Sequence, residues 1–566
     1  MKAGAVVAAA LAMVGLAMVG LSQGVAAKPT PRIHQPWWRH AVIYEIYPRS
    51  FQDSNGDGVG DLNGITQRLD YLKALGVDAI WLTPFYPSPN RDFGYDVADY
   101  TDVAPEYGTM ADFDRLVAAA KRRGIRVLVD FVLNHSSDQH PWFKAALSSR
   151  TSSRRDWYVW RDPAPDGGPP TNWRSIFGGS AWTRDARSGQ YYYHIFLPQQ
   201  PDLNWRNPAL RQAMADVMRF WLRHGVSGFR LDATPYLLED PAWPNDPDPA
   251  GGREVGLKPY NSGLPGNHPI MHELRRVVDA APGGGVLLGE SNVATVGDLA
   301  AVYGTHHDEI NLPMDFLFAG MKPLDAPTIK ARIDDAELRL NGNSPVFYFS
   351  NHDSARQWTW FGDGVHDGAI ARLCAALTLT LKGTALVYYG EELGMSDLPR
   401  DTLAKVPLGP KRAVADQRDP ERTPMQWTGA ANAGFTSGTP WLPANPEAAR
   451  ANVIAETADP ASLLHWYQTL LRLRHDDAGL RDGAYVPLES GDPHVVAFAR
   501  MAADGAGVLV LLNVGATPAT PTIGDWPGKA PALGRVILSS GTAGSTALSP
   551  WEARLVRITR QTGAKP

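Results

Sequence analysis

Four apolar, β-type runs in this chain stop at residues that do chemistry. Val127-Leu128-Val129-Asp130-Phe131-Val132-Leu133 leads to Asn134-His135, and Gly228-Phe229-Arg230-Leu231 ends at Asp232. Val286-Leu287-Leu288-Gly289 leads to Glu290, and Val346-Phe347-Tyr348-Phe349-Ser350 to Asn351-His352-Asp353. In a parallel barrel every strand opens its C-terminal end on the same face, so residues far apart in sequence meet there. Few other folds bring so many strand ends to one place.

The intervening sequence keeps the matching rhythm. Ala41 to Tyr47 is strand-like, Ile65, Leu69, Leu72 and Leu75 form a helical stripe, and Val77 to Leu82 is strand-like again. Thr109 with Asp112 is a capping-box start for a helix carrying Phe113, Leu116, Val117 and Ala120, which Gly124 ends. Leu210, Met214, Val217, Met218, Trp221 and Leu222 mark a helix before the Gly228 strand, and Ile270, Leu274, Val277 and Val278 one before the Glu290 strand. Further strands are expected near Glu309 to Leu312 and from Thr384 to Tyr389. Alternating β and α units predict a (β/α)8 TIM barrel over 28–134 and 200–475. Between them the Trp-, Tyr-, Ser- and Gly-rich stretch 135–199 is too long for an idle loop, and predicts a small domain inserted after the third strand. The Pro- and Gly-rich segment 241–267 reads as a surface loop. After about Asp477 short β-runs such as Val508-Leu509-Val510-Leu511-Leu512 predict a C-terminal antiparallel β domain, a sandwich over 476–566.

Charge excludes one class of partner. A formal net charge of −5 over 566 residues offers no electrostatic footprint for nucleic acid or an anionic membrane, so the expected substrate is small and neutral. Lys2, the apolar run from Ala5 to about Leu21, and Val25-Ala26-Ala27 before Lys28 read as a signal peptide over 1–27, cleaved after Ala27. A retained membrane anchor is the alternative, and export makes the protein secreted or periplasmic. Cys374, the single cysteine, lies in an apolar segment and is expected to pack rather than react, so no disulfide forms.

Arg230 and Asp232 stand two positions apart on one strand, hence on one face. A guanidinium there favours the ionised carboxylate that a nucleophile requires, although a strand-closing salt bridge would use the same pair. A retaining glycosidase flanks the sugar's anomeric carbon with two carboxylates, one nucleophilic and one protonated. Asp232 and Glu290, at the ends of neighbouring barrel strands, suit those roles, and Asp353 would face the sugar from the seventh.

The ordered segments Asp130-Phe131-Val132-Leu133-Asn134-His135, Gln200-Pro201-Asp202-Leu203-Asn204, Gly228-Phe229-Arg230-Leu231-Asp232, Gly289-Glu290 and Asn351-His352-Asp353 resemble the signature regions of the α-amylase superfamily. The likeness runs from about Trp37 to Leu473. Gln200-Pro201-Asp202-Leu203-Asn204 and Arg422-Thr423-Pro424-Met425-Gln426-Trp427 resemble the oligo-1,6-glucosidase and α-glucosidase branch. The resemblance implies Asp232 as nucleophile, Glu290 as general acid/base and Asp353 as the stabiliser that grips the sugar. It further implies that Arg230 holds Asp232 ionised, that His135 and His352 bond the same sugar, and that Tyr95 stacks beneath it. An Asp92–Arg422 pair would close the pocket at the non-reducing end, making the action exo. Ala233, directly after the nucleophile, implies a preference for α-1,4 links, since α-1,6 relatives carry valine there.

Asp53-Ser54-Asn55-Gly56-Asp57-Gly58-Val59-Gly60-Asp61 sets oxygen side chains at alternate positions, as a hard-cation loop does, though Gly64 stands where an EF-hand has its glutamate. A metal-free Asx/Gly turn is the other reading. The resemblance favours a structural Ca²⁺ held by Asp53, Asn55, Asp57, Asp61 and the Val59 carbonyl. The expected activity is a retaining α-glucosidase acting on short maltose-type oligosaccharides with some transfer. Its rivals are an oligo-1,6-glucosidase, a trehalose synthase, which Leu231-Asp232-Ala233-Thr234-Pro235-Tyr236-Leu237 resembles, and a non-catalytic transporter-partner ectodomain, which would lack the three acids.

Overall fold

Eight parallel strands form the centre of the molecule: β1 (Val42–Ile46), β2 (Ala79–Leu82) and β3 (Arg126–Val132) come first in the chain. Three short strands follow, β4 (Trp160–Arg161), β5 (Trp182–Arg184) and β6 (Tyr191–Tyr193), which belong to the insertion. The barrel resumes with β7 (Gly228–Asp232), β8 (Val286–Gly289), β9 (Leu312–Pro313), β10 (Val346–Phe347) and β11 (Thr384–Tyr388). The sheet runs β10-β11-β1-β2-β3-β7-β8-β9, and a parallel bridge from Met314 to Val346 joins its two ends. The computed structural model describes residues 36–559 apart from 248–257, 341, 344, 410, 411, 413, 525, 527–529 and 543, so the signal peptide predicted over 1–27 lies outside the described residues.

The strands read as continuous apolar runs because both faces are covered. Ile43, Trp81, Leu128, Leu288, Leu312, Met314 and Leu386 point into the barrel and fill it. Their neighbours Val42, Tyr44, Ile80, Val129 and Leu287 point outward, against the helices. The helix Met110–Arg122 starts at the expected capping box, in which Thr109 and Asp112 each bond the other's backbone N–H. The stripe from Ile65 to Leu75 is divided between helices Leu62–Gln67 and Leu69–Leu75, with non-helical Arg68 (φ −100°, ψ 4°) as the joint.

The insertion carries β4–β6 as a small antiparallel sheet, tied to the barrel by the bridges His135–Asp202 and Tyr158–Leu203. Its aromatic cluster of Trp173, Trp182 and Tyr193 takes in Ala233 and Tyr236, which come directly after β7. β12 (Ala484–Leu488), β13 (Val495–Met501), β14 (Gly507–Asn513), β15 (Ala532–Ser539) and β16 (Ala553–Thr559) make one five-stranded antiparallel sheet. The sandwich reading thus meets a single sheet among the described residues. One face joins the main core through Val496, Phe498 and Leu555, and the other is covered by segments around Ala519 and Leu548.

Candidate active site

The C-terminal mouth of the barrel is organised by Arg230. Period-two alternation turns Arg230 and Asp232 to the same face of β7, and the β3–β7 register sets Asp130 beside Arg230. Nη1 of Arg230 donates to Asp232 Oδ1 at 2.5 Å and to Asp130 Oδ1 at 3.2 Å, while Nη2 lies 2.9 Å from Glu290 Oε2. Three carboxylates therefore share one buried guanidinium. Burial pushes the Asp232 carboxyl well above its usual range, with Arg230 opposing and Glu290 and Asp130 adding to the rise. Burial likewise raises Asp130, to about 6, against the pull of Arg230. The cluster holds its protons collectively, and the sequence-predicted ionisation of Asp232 depends on where they sit.

Asp353 has the opposite balance. Burial would raise it, yet the Arg418 and Arg422 guanidinium groups hold it well below the usual carboxylate range. Oδ1 accepts from Arg418 Nη1 at 2.8 Å and from Arg422 Nη2 at 2.9 Å, and Oδ2 lies 3.2 Å from His352 Nε2. His352, fully buried and driven far down by desolvation, has its other ring nitrogen 2.7 Å from Glu45 Oε1 on β1.

Asp92 meets a different arginine from the one expected. Arg418 Nη2 donates to Asp92 Oδ1 at 2.5 Å, whereas Arg422 points inward, donating from Nε to the His352 carbonyl at 2.7 Å. The cause is the 3-10 turn Asp419–Arg422, which tucks Arg422 under Tyr47 and leaves Arg418 on its outer edge. Asp416 supports Arg418 at 2.6 Å, and Arg418 so bridges Asp92 and Asp353. The stretch around Arg418 has no periodicity, so sequence spacing carried no sign of which arginine would reach the rim.

Gln200, quoted in sequence only as part of a motif, links the remaining groups: its Nε2 lies 3.0 Å from Asp92 Oδ2 and 3.0 Å from His135 Nε2. Burial lowers His135 to about 3, so it is neutral. The Tyr95 ring stacks on His352 with centroids 5.4 Å apart, and its hydroxyl lies 2.6 Å from His352 Nε2 and 3.1 Å from Asp130 Oδ2. Asp92, Tyr95, His135, Arg230, Asp232, Glu290, His352, Asp353 and Arg422 thus join one connected network.

Ala233 enters it through its backbone. It adopts a left-handed conformation (φ 50°), and its N–H donates to Glu290 Oε2 at 2.7 Å, while its side chain packs in the aromatic cluster of the insertion.

The Asp53–Asp61 loop lies apart from this chemistry. Asp53 accepts from the amides of Asn55, Gly56 and Gly58 and from Thr436, and Asp61 from Ser54 and the amide of Gly64. Asn55 Oδ1 accepts from the Asp57 amide and Asp57 Oδ1 from that of Val59. Among the described residues no three His, Cys, Asp or Glu side chains group as a metal cluster.

A family model described as the alpha-amylase catalytic domain matches residues 45–483. A probable alpha-glucosidase of Rhizobium meliloti is 42% identical over 468 residues, covering 79% of this chain and 84% of that protein. An oligo-1,6-glucosidase of Heyndrickxia coagulans is 38% identical over 507 residues, 82% of this chain and 90% of its own. The crystal structure of an alpha-glucosyl transfer enzyme superposes with a TM-score of 0.82 at 38% identity, covering 93% of this chain and all of that one. A matched catalytic domain, a closed eight-stranded barrel and three acids at its mouth agree: the chain belongs to the alpha-amylase family of glycoside hydrolases, in the oligo-1,6-glucosidase and α-glucosidase branch.

Proposed function

We propose that this α-glucosidase-type hydrolase is a retaining exo-enzyme that releases non-reducing terminal glucose from short α-1,4-linked oligosaccharides such as maltose, with some transfer to sugar acceptors. The observation that carries the reading is Arg230 gripping Asp232 and Glu290 together. Two carboxyls on one guanidinium are neighbours, which favours double displacement over inversion, whose carboxyls stand wider apart to admit a water.

The reaction requires the proton of the cluster on Glu290 and the charge on Asp232, where Arg230 faces it. Asp232 then attacks the anomeric carbon as Glu290 gives its proton to the departing glycosidic oxygen. A glucosyl ester on Asp232 results. Glu290, now a carboxylate, takes a proton from water or from a sugar hydroxyl, whose oxygen displaces Asp232 and restores both groups. Asp353, held ionised, accepts hydrogen bonds from sugar hydroxyls, and the Asp92–Arg418 bridge closes the far end of the pocket. The choice of α-1,4 links rests on Ala233.

Incubation with maltose, isomaltose, sucrose and trehalose tests this. Glucose from maltose, released first as the α-anomer, is expected; conversion of maltose to trehalose would establish the isomerase instead, cleavage of isomaltose in preference to maltose the oligo-1,6-glucosidase, and inertness toward all four would overturn the reading.

Export is proposed from the Lys2 to Ala27 segment, and N-terminal sequencing of protein from the native host should begin at Lys28. A structural Ca²⁺ is proposed on the mixed donor set of Asp53, Asn55, Asp57, Asp61 and the Val59 carbonyl; it enters no step of the chemistry. Removing it should lower the melting temperature, because a ligand held only by the folded state stabilises that state. Metal analysis that finds no calcium after preparation with calcium would dispose of the site.

A further inference from the structure

We propose that Thr234 is a positioning residue that fixes the Glu290 carboxyl relative to the nucleophile, an inference resting on the assignment of Glu290 as acid/base. Glu290 sits one residue beyond β8, where the last β7–β8 ladder bond takes its N–H and its carbonyl and carboxyl need other partners. The segment that carries the nucleophile supplies them. The Leu231 carbonyl accepts from Glu290 N–H at 2.9 Å, Ala233 N–H donates to Glu290 Oε2 at 2.7 Å, and Thr234 Oγ1 donates to the Glu290 carbonyl at 2.7 Å. Backbone N–H, side chain and backbone C=O of the acid are thus all held by residues flanking Asp232.

The clamp is itself rigid. Ala233 at φ 50° turns its amide toward Glu290, and Thr234 then opens the 3-10 turn Thr234–Tyr236 with Pro235 in second place. Asn267 Nδ2 pins the same turn at the Pro235 carbonyl, 2.9 Å away. Thr234 is buried, as is Ser291 beyond the acid, while Glu290 is half-buried, so a Glu290 carbonyl without Oγ1 would lose its one fixed side-chain donor. The peptide between residues 290 and 291 would then rotate, and Oε2 would drift from the Ala233 amide. Separation between the two catalytic carboxyls is in this way set by direct bonds rather than by sheet spacing alone.

Thr234→Val removes the donor while keeping the shape, and Thr234→Ser keeps the donor. Each is compared with wild type and Glu290→Gln on maltose, whose leaving oxygen needs a proton, and on α-glucosyl fluoride, whose leaving fluoride does not. Thr234→Val is expected to lose roughly ten- to a hundredfold in kcat/KM on maltose and far less on the fluoride, with its alkaline pH limb displaced and with serine restoring both. Equal losses on the two substrates, no loss on maltose, or failure of serine to restore would overturn the proposal. Should Glu290→Gln fail to discriminate between the substrates, the acid/base assignment falls, and this inference with it.

Discussion

Arg418 donates to Asp92 at 2.5 Å with one terminal nitrogen and to Asp353 at 2.8 Å with the other, so a single side chain ties the acid proposed to close the pocket to the acid proposed to grip the sugar. Lysine carries the charge but lacks the second arm. Arg418→Lys should lower kcat/KM on maltose about 10- to 100-fold, mostly through KM, while Arg418→Lys and wild type melt within a few degrees of each other. Steady-state kinetics and a thermal scan check both halves; an unchanged KM would remove Arg418 from the substrate pocket.

Asp232→Asn and Glu290→Gln are nearly isosteric, and each removes the group proposed for the nucleophilic or the proton-transfer role. Turnover of maltose should fall at least 10²–10⁴-fold in either, with the fold kept. Near-normal hydrolysis by a purified, folded variant would refute the roles.

Ala233→Val has two expected consequences with different causes. A β-branched residue at φ 50° is strained, which should lower stability by about 1–3 kcal/mol and be visible in the melting temperature. The added methyls should also shift preference from maltose toward isomaltose, a methyl-scale change of about 1–3 kcal/mol or roughly 10–200-fold in relative kcat/KM. Because the Ala233 side chain packs among aromatics of the insertion, the shift would act through that wall. A kcat/KM ratio unmoved by valine would place linkage choice elsewhere.

Glu421 predicts a pH dependence of stability. Burial pushes its carboxyl from the ordinary 4.5 up to about 8, with Arg422 opposing. A group whose folded pKa is raised binds more protons folded than unfolded between those values, so its contribution is complete below about 4.5 and is lost as pH rises through 8. Urea unfolding at pH 5, 6.5 and 8 should show stability falling by up to a few kcal/mol from this group, and Glu421→Gln should flatten the slope. Parallel slopes in the two proteins would show that Glu421 does not stay protonated in the fold.

What the sequence by itself determined is the barrel and the identity of its acids. Apolar runs buried on both faces leave only a parallel sheet under helices, and strand ends in such a sheet have one place to go, so Asp232, Glu290 and Asp353 were legible as a set. The capping box at Thr109 was legible because its signal is local, confined to one helical turn. Tertiary structure decided whatever depends on loops. Arg418 rather than Arg422 reaches Asp92 because a short 3-10 turn faces one arginine inward and the other out, a choice that four residues of aperiodic sequence do not encode. Thr234 and Gln200 acquire partners only when residues 56 and 108 positions away arrive beside them. The charge state of Asp232 is likewise tertiary: next to Arg230 in sequence terms it is a simple ion pair, but burial with Asp130 and Glu290 around the same guanidinium reverses the direction of its pKa. Local patterns specify the elements, whereas proton sharing and loop contacts depend on distances between elements that meet only in the folded chain.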